Sequence, residues 1–469
     1  MEPRPDPGGL LVSERAVLSP WDGREVGRVR VPSAAEVEAA VAGAVKAFEA
    51  TRRMPTWRRS AVLRDVAARL LDRRDALAAI VVGEAGKPLK AARAEVARSA
   101  QTFLAAATAC ETPRAELMPL DVNASSEGRW GILRRFPLGP VCAITPFNFP
   151  LNLTAHKVAP AIAVGAPVVQ KPASQTPLSA LALREVVLAA GWPEEAYSVL
   201  PLSGAEGERL VLDPRLPVVS FTGSASVGWR LKELVPRKRV GLELGGNAAA
   251  VVHADADVED AASRAVPGAF GYAGQSCISL QRTLVHESVY DAFRERFLER
   301  ARALVVGDPA EEATDVGPMI TEADAARAEA WVAEAVSAGA ALLLGGTRRG
   351  SLLTPSVLER TQPRMKVECA EVFAPVVTLS PYRDFDEALA RVNASSFGLQ
   401  AGVFTRDLSR VERAFETLEV GGVVVNDVPT WRADRMPYGG VKDSGTGREG
   451  PAFAMEEMTE PRLLVLRAP

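Results

Sequence analysis

The chain has 469 residues, of which 47% are hydrophobic and 24% charged, a composition typical of ordinary globular proteins with two or three domains. Its formal net charge of −3 provides no basic field for nucleic acid or an anionic membrane. The 4 cysteines are widely spaced, which excludes a disulfide framework and a zinc-finger pattern, and we expect no metal.

The N-terminal residues lack the basic and then apolar order of a signal peptide. No uncharged apolar run reaches the roughly 18 residues that a membrane-spanning helix needs. We therefore expect a cytoplasmic protein without a membrane partner.

The first part of the chain is predicted to be helical. Apolar residues recur at three- and four-residue spacing over 34–51, 57–82 and 91–110. Ser33 is a suitable N-cap for the first of these helices. Residues 129–137 then predict a short strand before a Leu-Gly-Pro turn.

From residue 139 onwards, short apolar strands alternate with helices. The strands are predicted at 141–145, 167–170, 197–200, 218–221 and 240–244, and the helices at 155–164, 178–190 and 227–234. This alternation implies right-handed crossovers and a parallel sheet, with ligands bound beyond the carboxyl ends of its strands. A second α/β stretch is predicted from 249 to about 425.

A glycine-containing turn, FTGSASVG at 221–228, opens the helix predicted at 227–234. The amides at a helix N-terminus suit a pyrophosphate. The turn is not GxGxxG, and a plain strand-to-helix connection is the alternative interpretation.

The segment GYAGQSCIS at 271–279 places Cys277 among glycines and small polar residues. A lone cysteine is more often a small buried apolar residue than a nucleophile. Here, however, the glycines leave backbone N–H groups free to point at the sulfur or at an oxyanion beside it.

Seven motifs stand in order along the chain: TPFNFP at 145–150, KPASQTP at 171–177, FTGSASVG at 221–228, LELGGN at 242–247, GQSC at 274–277, EVFAPV at 371–376 and PYGGVKDSGTGREG at 437–450. This set resembles the NAD(P)-dependent aldehyde dehydrogenase superfamily over nearly the whole chain. The stretch VNDVPTWRADRMPYGGVKDSG is similar to members acting on lactaldehyde and, without phosphorylation, on glyceraldehyde-3-phosphate.

The resemblance implies an α/β fold with a Rossmann-type parallel-sheet cofactor domain, an α/β catalytic domain and a small oligomerisation sheet. We expect the cofactor domain at 1–119, 138–245 and 438–452, the catalytic domain at 246–437, and the oligomerisation segments at 120–137 and 453–469. The apolar run at 463–466 would be an exposed edge on a monomer, so we expect a homodimer or homotetramer.

The resemblance also implies catalytic roles. Cys277 matches the nucleophile that attacks the aldehyde, and Asn148 matches the amide that holds the developing oxyanion. Glu243 matches the base that activates water to release the acid, and a carboxyl at the end of a buried strand should have a raised pKa. Lys157 matches a lysine near the site, with a supporting role.

For the cofactor, Lys171 resembles the lysine at the adenosine ribose, Glu371 and Phe373 the pair at the nicotinamide ribose, and Ser224 the hydroxyl at the pyrophosphate. NAD-preferring members often carry glutamate where this chain has Ser174. Serine removes the repulsion of a 2′-phosphate, so NADP should be accepted at least as well as NAD. The other expected cofactor-binding residues are Thr145, Pro146, Phe147, Gly223, Gly228 and Leu244.

Six positions match those that surround the substrate in the family: Phe149, Asn152, His156, Ser276, Ile278 and Arg432. Polar side chains among them favour a short polar or anionic aldehyde, because arginine recognises carboxylate and phosphate well. The alternative is that Arg432 is paired with Asp434 or solvated.

Two rival functions remain on the sequence alone. Relatives that transfer the acyl group to coenzyme A, or form aldehydes from acyl derivatives, lack the glutamate found here at Glu243. A non-catalytic binding relative would have lost the cysteine or the glutamate, and both are present.

Overall fold

The computed structural model describes residues 14–467, so the predictions for 1–13 and 468–469 lie outside the described residues. A short hairpin is followed by four helices. These elements are β1 (Glu14–Leu18), β2 (Glu25–Arg30), α1 (Ala34–Thr51), α2 (Thr56–Asp72), α3 (Arg74–Ala85) and α4 (Leu89–Glu111).

The beginning of α1 is fixed by a capping box, as the sequence predicts. The Ser33 hydroxyl accepts from Glu36 N, and the Glu36 carboxylate accepts from Ser33 N at 2.8 Å. The helix predicted over 57–82 is instead two helices. Arg73 leaves the helical region (φ −99°, ψ 16°), which lets α3 turn and pack against α4.

An antiparallel sheet of three strands follows. Its first two strands are β3 (Glu116–Pro119) and β4 (Arg129–Pro137), the latter with the predicted bounds. Its third strand comes from the end of the chain, so the strand order places β4 in the centre. The expected domain boundary after residue 119 therefore needs correction, because β3 is hydrogen-bonded to β4 and belongs to this sheet.

The next part of the chain builds the predicted parallel sheet. Its elements are β5 (Val141–Ile144), α5 (Asn152–Val164), β6 (Val168–Lys171), α6 (Leu178–Ala189), β7 (Tyr197–Val199), α7 (Gly204–Leu212), β8 (Val218–Thr222), α8 (Ala225–Leu234) and β9 (Arg239–Glu243). Strands β9, β8, β5, β6 and β7 are neighbours in that order, all parallel. Helix α5 is buried along its whole length between this sheet and the N-terminal helices.

A second α/β unit, built around another parallel sheet, contains the elements that come next in the chain. These are β10 (Ala248–Val252), α9 (Val258–Phe270), β11 (Leu280–His286), α10 (Glu287–Arg302), α11 (Glu322–Ser337), β12 (Ala341–Leu344), β13 (Arg348–Arg349), β14 (Leu352–Leu353), β15 (Ser356–Glu359), α12 (Lys366–Cys369), β16 (Val376–Tyr382), α13 (Phe385–Asn393), β17 (Phe397–Gly398), β18 (Gln400–Phe404), α14 (Leu408–Thr417) and β19 (Gly422–Val425). The strand order is β12-β15-β16-β11-β10-β18-β19, with β12 alone antiparallel to its neighbour.

The chain then returns across both sheets through residues 438–450, here called the return segment. It contains β20 (Val441–Lys442) and β21 (Gly445–Thr446), and it leads into α15 (Pro451–Glu457) and β22 (Thr459–Arg467). Strand β20 pairs with β17, whereas β21 pairs with β9 at the edge of the first sheet. The return segment therefore joins the two α/β units directly.

The end of the chain differs in part from the prediction. Residues from 453 were assigned to the oligomerisation sheet, but Pro451–Glu457 forms a helix that packs on α4 and α5. Strand β22 then pairs with β4 along its full length and has no neighbour on its other side within the described residues. Its side chains Leu463, Leu464 and Val465 are 44–53% exposed.

Within residues 14–467, no helix combines the length and the apolar character needed to cross a bilayer.

Candidate active site

Cys277 lies just after a tight turn between α9 and β11. The turn is left-handed at Tyr272 and Ala273, both with φ of 51°, a conformation that costs energy for residues other than glycine. The Tyr272 hydroxyl donates to Ala85 O at 2.9 Å and holds the turn against α3. Gly246 allows the turn to approach β9, because a Cβ there would lie 2.2 Å from Cys277 O.

Asn148 lies against this turn in the loop after β5. Its Nδ2 donates to Gln275 O at 3.1 Å, and its Oδ1 has no hydrogen-bond partner among the described residues. The structure thus brings Asn148 beside the segment that carries Cys277, as the motifs predicted.

A buried ion pair contacts the loop that carries Asn148. Lys87 and Glu95 are paired at 1% and 0% exposure, and the Lys87 ammonium lies 3.7 Å from the centre of the Phe149 ring. The second Glu95 oxygen accepts from Leu151 N and Asn152 N, the first amides of α5, at 2.9 and 3.1 Å. This pair fixes the position of the loop relative to α5.

Glu243 is the last residue of β9 and is 6% exposed. Burial raises its pKa well above the ordinary value, and the negative charge of Glu449 raises it further, against the opposing charges of Arg432 and Lys157. Its Oε2 has no hydrogen-bond partner among the described residues. A carboxyl with these properties is suited to take a proton near neutral pH.

Lys157 and Arg432 both bind Glu449, a residue of the return segment. The Lys157 ammonium donates to Thr222 Oγ1 at 2.7 Å and lies 3.4 Å from Glu449 Oε1, whereas Arg432 donates to Glu449 Oε2 at 3.0 Å. Burial opposes ionisation of Glu449, but the charges of Lys157 and Arg432 lower its pKa overall. Glu449 is therefore an anion fixed between two cations.

A small cavity of about 30 Å³ lies behind Glu243, lined also by His156, Ser220 and Glu449. A site of this size with several polar neighbours has room for a water molecule or two.

Arg432 is buried and paired, with its side chain 6% exposed. The alternative prediction, that Arg432 pairs with Asp434, was wrong, because Arg432 binds Glu449. Asp434 instead binds Arg98, Asn152 and His156. The Arg432 guanidinium carbon lies over the Tyr438 ring, 3.7 Å from its centre, and the Arg432 Nε has no hydrogen-bond partner within the described chain.

Asn152 and His156 are each 1% exposed, and their polar groups contact Asp434 Oδ1 at 3.0 Å. Burial and the Arg432 charge lower the pKa of His156, although Asp434 acts in the other direction. The imidazole is therefore neutral in an internal network. Both residues act behind the pocket surface rather than at it.

The other residues predicted to contact substrate lie around the sulfur. Ile278 is buried in a small cluster with Leu399 and Tyr438, and Ser276 is half-buried beside Cys277. Phe149 is half-buried, with its ring edge-on to Tyr272 at 6.2 Å.

The residues predicted for the adenosine end lie at the carboxyl edge of the first sheet. Lys171 ends β6, and its ammonium has no ion-pair partner within residues 14–467; burial and the nearby Arg15 charge lower its pKa. Ser174 is half-buried in the loop that follows. An ammonium and a hydroxyl fit the adenosine ribose of a nicotinamide dinucleotide, whether it carries a 2′-hydroxyl or a 2′-phosphate.

Ser224 is the N-cap of α8, and no described side chain caps the first turn of this helix. Since Ser224 and Ser226 are exposed, the free amides face an accessible surface that suits a pyrophosphate. Gly228 is buried, and a Cβ there would lie 2.4 Å from Leu244, so its role is to let α8 pack closely on the sheet. Gly223 similarly lies against the Phe221 ring.

Glu371 and Phe373 lie on the second α/β unit, across from the first sheet. Glu371 Oε1 accepts from Gly246 N at 2.9 Å, and burial raises the pKa of its carboxyl to about 7. Phe373 packs edge-on against Phe147, with ring centres 5.9 Å apart. Thr145 is buried and accepts from Gln170, and Pro146 is half-buried beside it.

The sequence reasoning missed two contacts of the site. Tyr438 lies with its hydroxyl 2.8 Å from the Cys277 sulfur, and Glu449 binds both cations beside Glu243. Both residues belong to the motif PYGGVKDSGTGREG, whose glycine-rich return was noted without a role for its tyrosine and glutamate.

Comparison with known proteins agrees with this geometry. The sequence profile of the aldehyde dehydrogenase family matches residues 12–464. The 3-sulfolactaldehyde dehydrogenase of Priestia aryabhattai is 43% identical over 451 residues, which cover 96% of this chain and 94% of that protein.

Two solved structures have the same fold. Aldehyde dehydrogenase 21 from Physcomitrella patens, in complex with the reaction product succinate, has a TM-score of 0.95 at 43% identity, covering 97% of this chain and 95% of that one. Glyceraldehyde-3-phosphate dehydrogenase GapN from Methanocaldococcus jannaschii, complexed with NADP, has a TM-score of 0.93 at 38% identity, covering 97% and 99%. The predicted fold class is confirmed, and the chain belongs to the aldehyde dehydrogenase family.

Proposed function

We propose that this enzyme oxidises a short polar or anionic aldehyde to the carboxylic acid with NADP or NAD. The observation that carries the proposal is that Asn148 binds the segment carrying the Cys277 thiol, while the charge of Glu243, a carboxyl with a raised pKa, acts on that same thiol. A nucleophile, an oxyanion donor and a base are the groups that this oxidation needs.

In the first step, the Cys277 sulfur attacks the aldehyde carbon and forms a thiohemiacetal. The Asn148 amide and the Cys277 backbone N–H would donate to the oxygen as it gains negative charge. Elsewhere, one such donor contributes about 3–4 kcal/mol to lowering the barrier. The Lys87–Glu95 pair holds the Asn148 loop in place for this role.

The bound nicotinamide supplies the chemistry of hydride acceptance, which leaves a thioester on Cys277. Glu243 then takes a proton from water, and the hydroxide attacks the thioester carbon and releases the acid. The raised pKa of Glu243 supports this role, because such a carboxyl can take a proton near neutral pH. Lys157 and Glu449 act on the base in opposite directions, since the charge of Lys157 lowers the pKa of Glu243 and the charge of Glu449 raises it.

We propose that both cofactors bind, with NADP at least at parity. Lys171 and Ser174 would face the adenosine ribose. Because position 174 is a serine and not a glutamate, no carboxylate there repels a 2′-phosphate. The GapN structure is complexed with NADP, which supports acceptance of NADP by a chain of this fold.

The substrate preference rests on the names of the relatives and on Arg432. One relative is named for 3-sulfolactaldehyde, and the Physcomitrella structure contains succinate, so both concern small anionic molecules. Arg432 lies next to Tyr438 at the sulfur and keeps an N–H without a partner among the described residues. We propose that this cation attracts the anionic end of the substrate.

We propose that the first sheet and its helices form the cofactor domain, and that the second forms the catalytic domain. The three-stranded sheet would mediate assembly into a homodimer or homotetramer, since β22 presents exposed apolar side chains on an edge without a neighbour in the described chain.

Cys277→Ala tests the function directly. The rate of oxidation is measured on a panel of short aldehydes through the formation of NADPH or NADH. This rate should fall at least about a hundredfold in Cys277→Ala, while cofactor binding stays close to wild type. Cys369→Ala is the matched control, because Cys369 is an exposed free thiol whose sulfur contacts Arg364 O rather than the groups around Cys277. Oxidation surviving in Cys277→Ala would contradict the proposal, and dependence of product formation on coenzyme A would favour the acylating alternative.

A further inference from the structure

Tyr438 contacts the sulfur of Cys277. Its hydroxyl oxygen lies 2.8 Å from Cys277 Sγ, and the residue is 3% exposed. The backbone of Tyr438 is held on both sides, since its N–H donates to Glu449 O at 3.1 Å and its carbonyl accepts from Glu449 N at 2.6 Å. The ring is therefore fixed against the nucleophile by the return segment.

We propose that Tyr438 is a catalytic residue, whose hydroxyl donates a hydrogen bond to the Cys277 sulfur and stabilises the thiolate that attacks the aldehyde. This inference rests on the proposed function, since it assigns a partner to the same nucleophile. Ionisation releases the thiol proton to solvent, while Tyr438 keeps its own proton. The sulfur lone pair then forms the C–S bond as the carbonyl π pair moves to oxygen.

The surroundings explain why such a donor is needed. Burial raises the pKa of the Cys277 thiol to about 12, the negative charges of Glu371 and Glu243 act in the same direction, and Arg432 and the Tyr438 hydrogen bond act against them.

The direction of the hydrogen bond follows from the two groups. Burial raises the pKa of Tyr438 well above its ordinary value, and the neighbouring Cys277 and Glu243 charges oppose its ionisation as well. The phenol is therefore the proton donor, and a thiolate is a strong acceptor.

Arg432 strengthens the donor from the other side. Its guanidinium lies 3.7 Å from the ring centre of Tyr438 and is anchored by Glu449. A cation over the ring face draws on the π electrons, and we infer that this makes the O–H a better donor. The tyrosine thus connects the Glu449–Arg432 pair to the sulfur.

Tyr438→Phe tests the proposal, because it keeps the ring and its stacking and removes the hydroxyl alone. The rate of alkylation of Cys277 by iodoacetamide is measured from pH 6 to pH 11 by peptide mass spectrometry, without substrate or cofactor. Because the Cys277 thiol is mostly protonated throughout this range, loss of a hydrogen bond to the thiolate should lower the alkylation rate about 10- to 100-fold at every pH measured. The exposed Cys369 is the internal reference, and Tyr290→Phe is the control, since Tyr290 binds Glu359 far from the sulfur.

A second variant keeps the test decisive if Tyr438→Phe is poorly folded. Difluorotyrosine incorporated at position 438 has a more acidic phenol, so it should raise the rate of Cys277 alkylation instead. Unchanged alkylation rates in the folded variants would overturn the proposal and leave the hydroxyl as a packing group. Changed alkylation rates in an enzyme that oxidises no aldehyde would support the Tyr438 contact while refuting the proposed function.

Discussion

Replacing Glu243 by glutamine should separate hydride transfer from hydrolysis. The amide has the shape of a protonated carboxyl, and the pKa of Glu243 is already raised well above its ordinary value by burial and by Glu449. The folded enzyme should therefore tolerate Glu243→Gln, with a change in the free energy of unfolding within about 1 kcal/mol. What disappears is the ability to take a proton from water.

The magnitude follows from what a positioned base contributes. General base catalysis supplies about 10²- to 10⁴-fold, equivalent to about 3–5 kcal/mol of barrier. Hydrolysis should slow by this factor, whereas formation of the thioester should proceed. Mixing enzyme, cofactor and aldehyde in a stopped-flow spectrometer should give a burst of reduced cofactor close to one per site, followed by slow turnover.

The pH dependence of the wild-type enzyme also tests whether Glu243 is the base for hydrolysis. The base acts only when ionised, so the kcat for hydrolysis should fall as pH drops through the raised pKa of Glu243, at a higher pH than for an ordinary glutamate. In Glu243→Gln this acid limb should disappear from the steady-state rate. A variant without any burst, but with normal cofactor binding, would refute the reasoning, because Glu243 would then act before hydride transfer.

Three further substitutions have defined outcomes. Ser174→Glu should lower kcat/KM for NADP about tenfold, or 1.4 kcal/mol, by repelling the 2′-phosphate, and leave NAD unchanged or improved; equal effects on both cofactors would contradict the ribose-edge argument. Arg432→Lys keeps the charge but loses the planar fork, so KM for an anionic aldehyde should rise about tenfold while KM for propanal changes little. Lys87→Met leaves the Glu95 carboxylate buried without its cation, and urea denaturation should show a loss of about 3–5 kcal/mol, against little loss for the surface variant Lys90→Met.

The fold was largely predictable because its signals are local. Strands such as β8 and β9 are short apolar runs that end in glycine-containing turns, and the alternation of strand and helix determines a parallel sheet. The break between α2 and α3 was missed because apolar spacing continues through Arg73. Strand β3 was missed because it has only four residues and is formed by pairing with β4.

The candidate site was predictable where a motif carries its own chemistry, as with Cys277 in GQSC and Glu243 in LELGGN. The partners of these residues were not, because a side-chain contact across the chain leaves no periodicity. Arg432 was predicted to contact the substrate, with Asp434 as the alternative partner, but the fold pairs it with Glu449 instead. Lys87 gave no signal in the sequence, because its burial beneath Phe149 depends on tertiary packing.

The position of the return segment in the chain has a consequence for how the enzyme folds. Tyr438 reaches back 161 residues to Cys277, and Glu449 reaches back 292 residues to Lys157. Contacts of such high sequence separation are slow to form, because the loops between them must close first. A nascent chain that has not yet emerged beyond residue 437 contains the nucleophile and its base but neither Tyr438 nor Glu449. Catalytic competence should therefore be the last property to return on refolding from denaturant, after the helical circular dichroism signal has recovered.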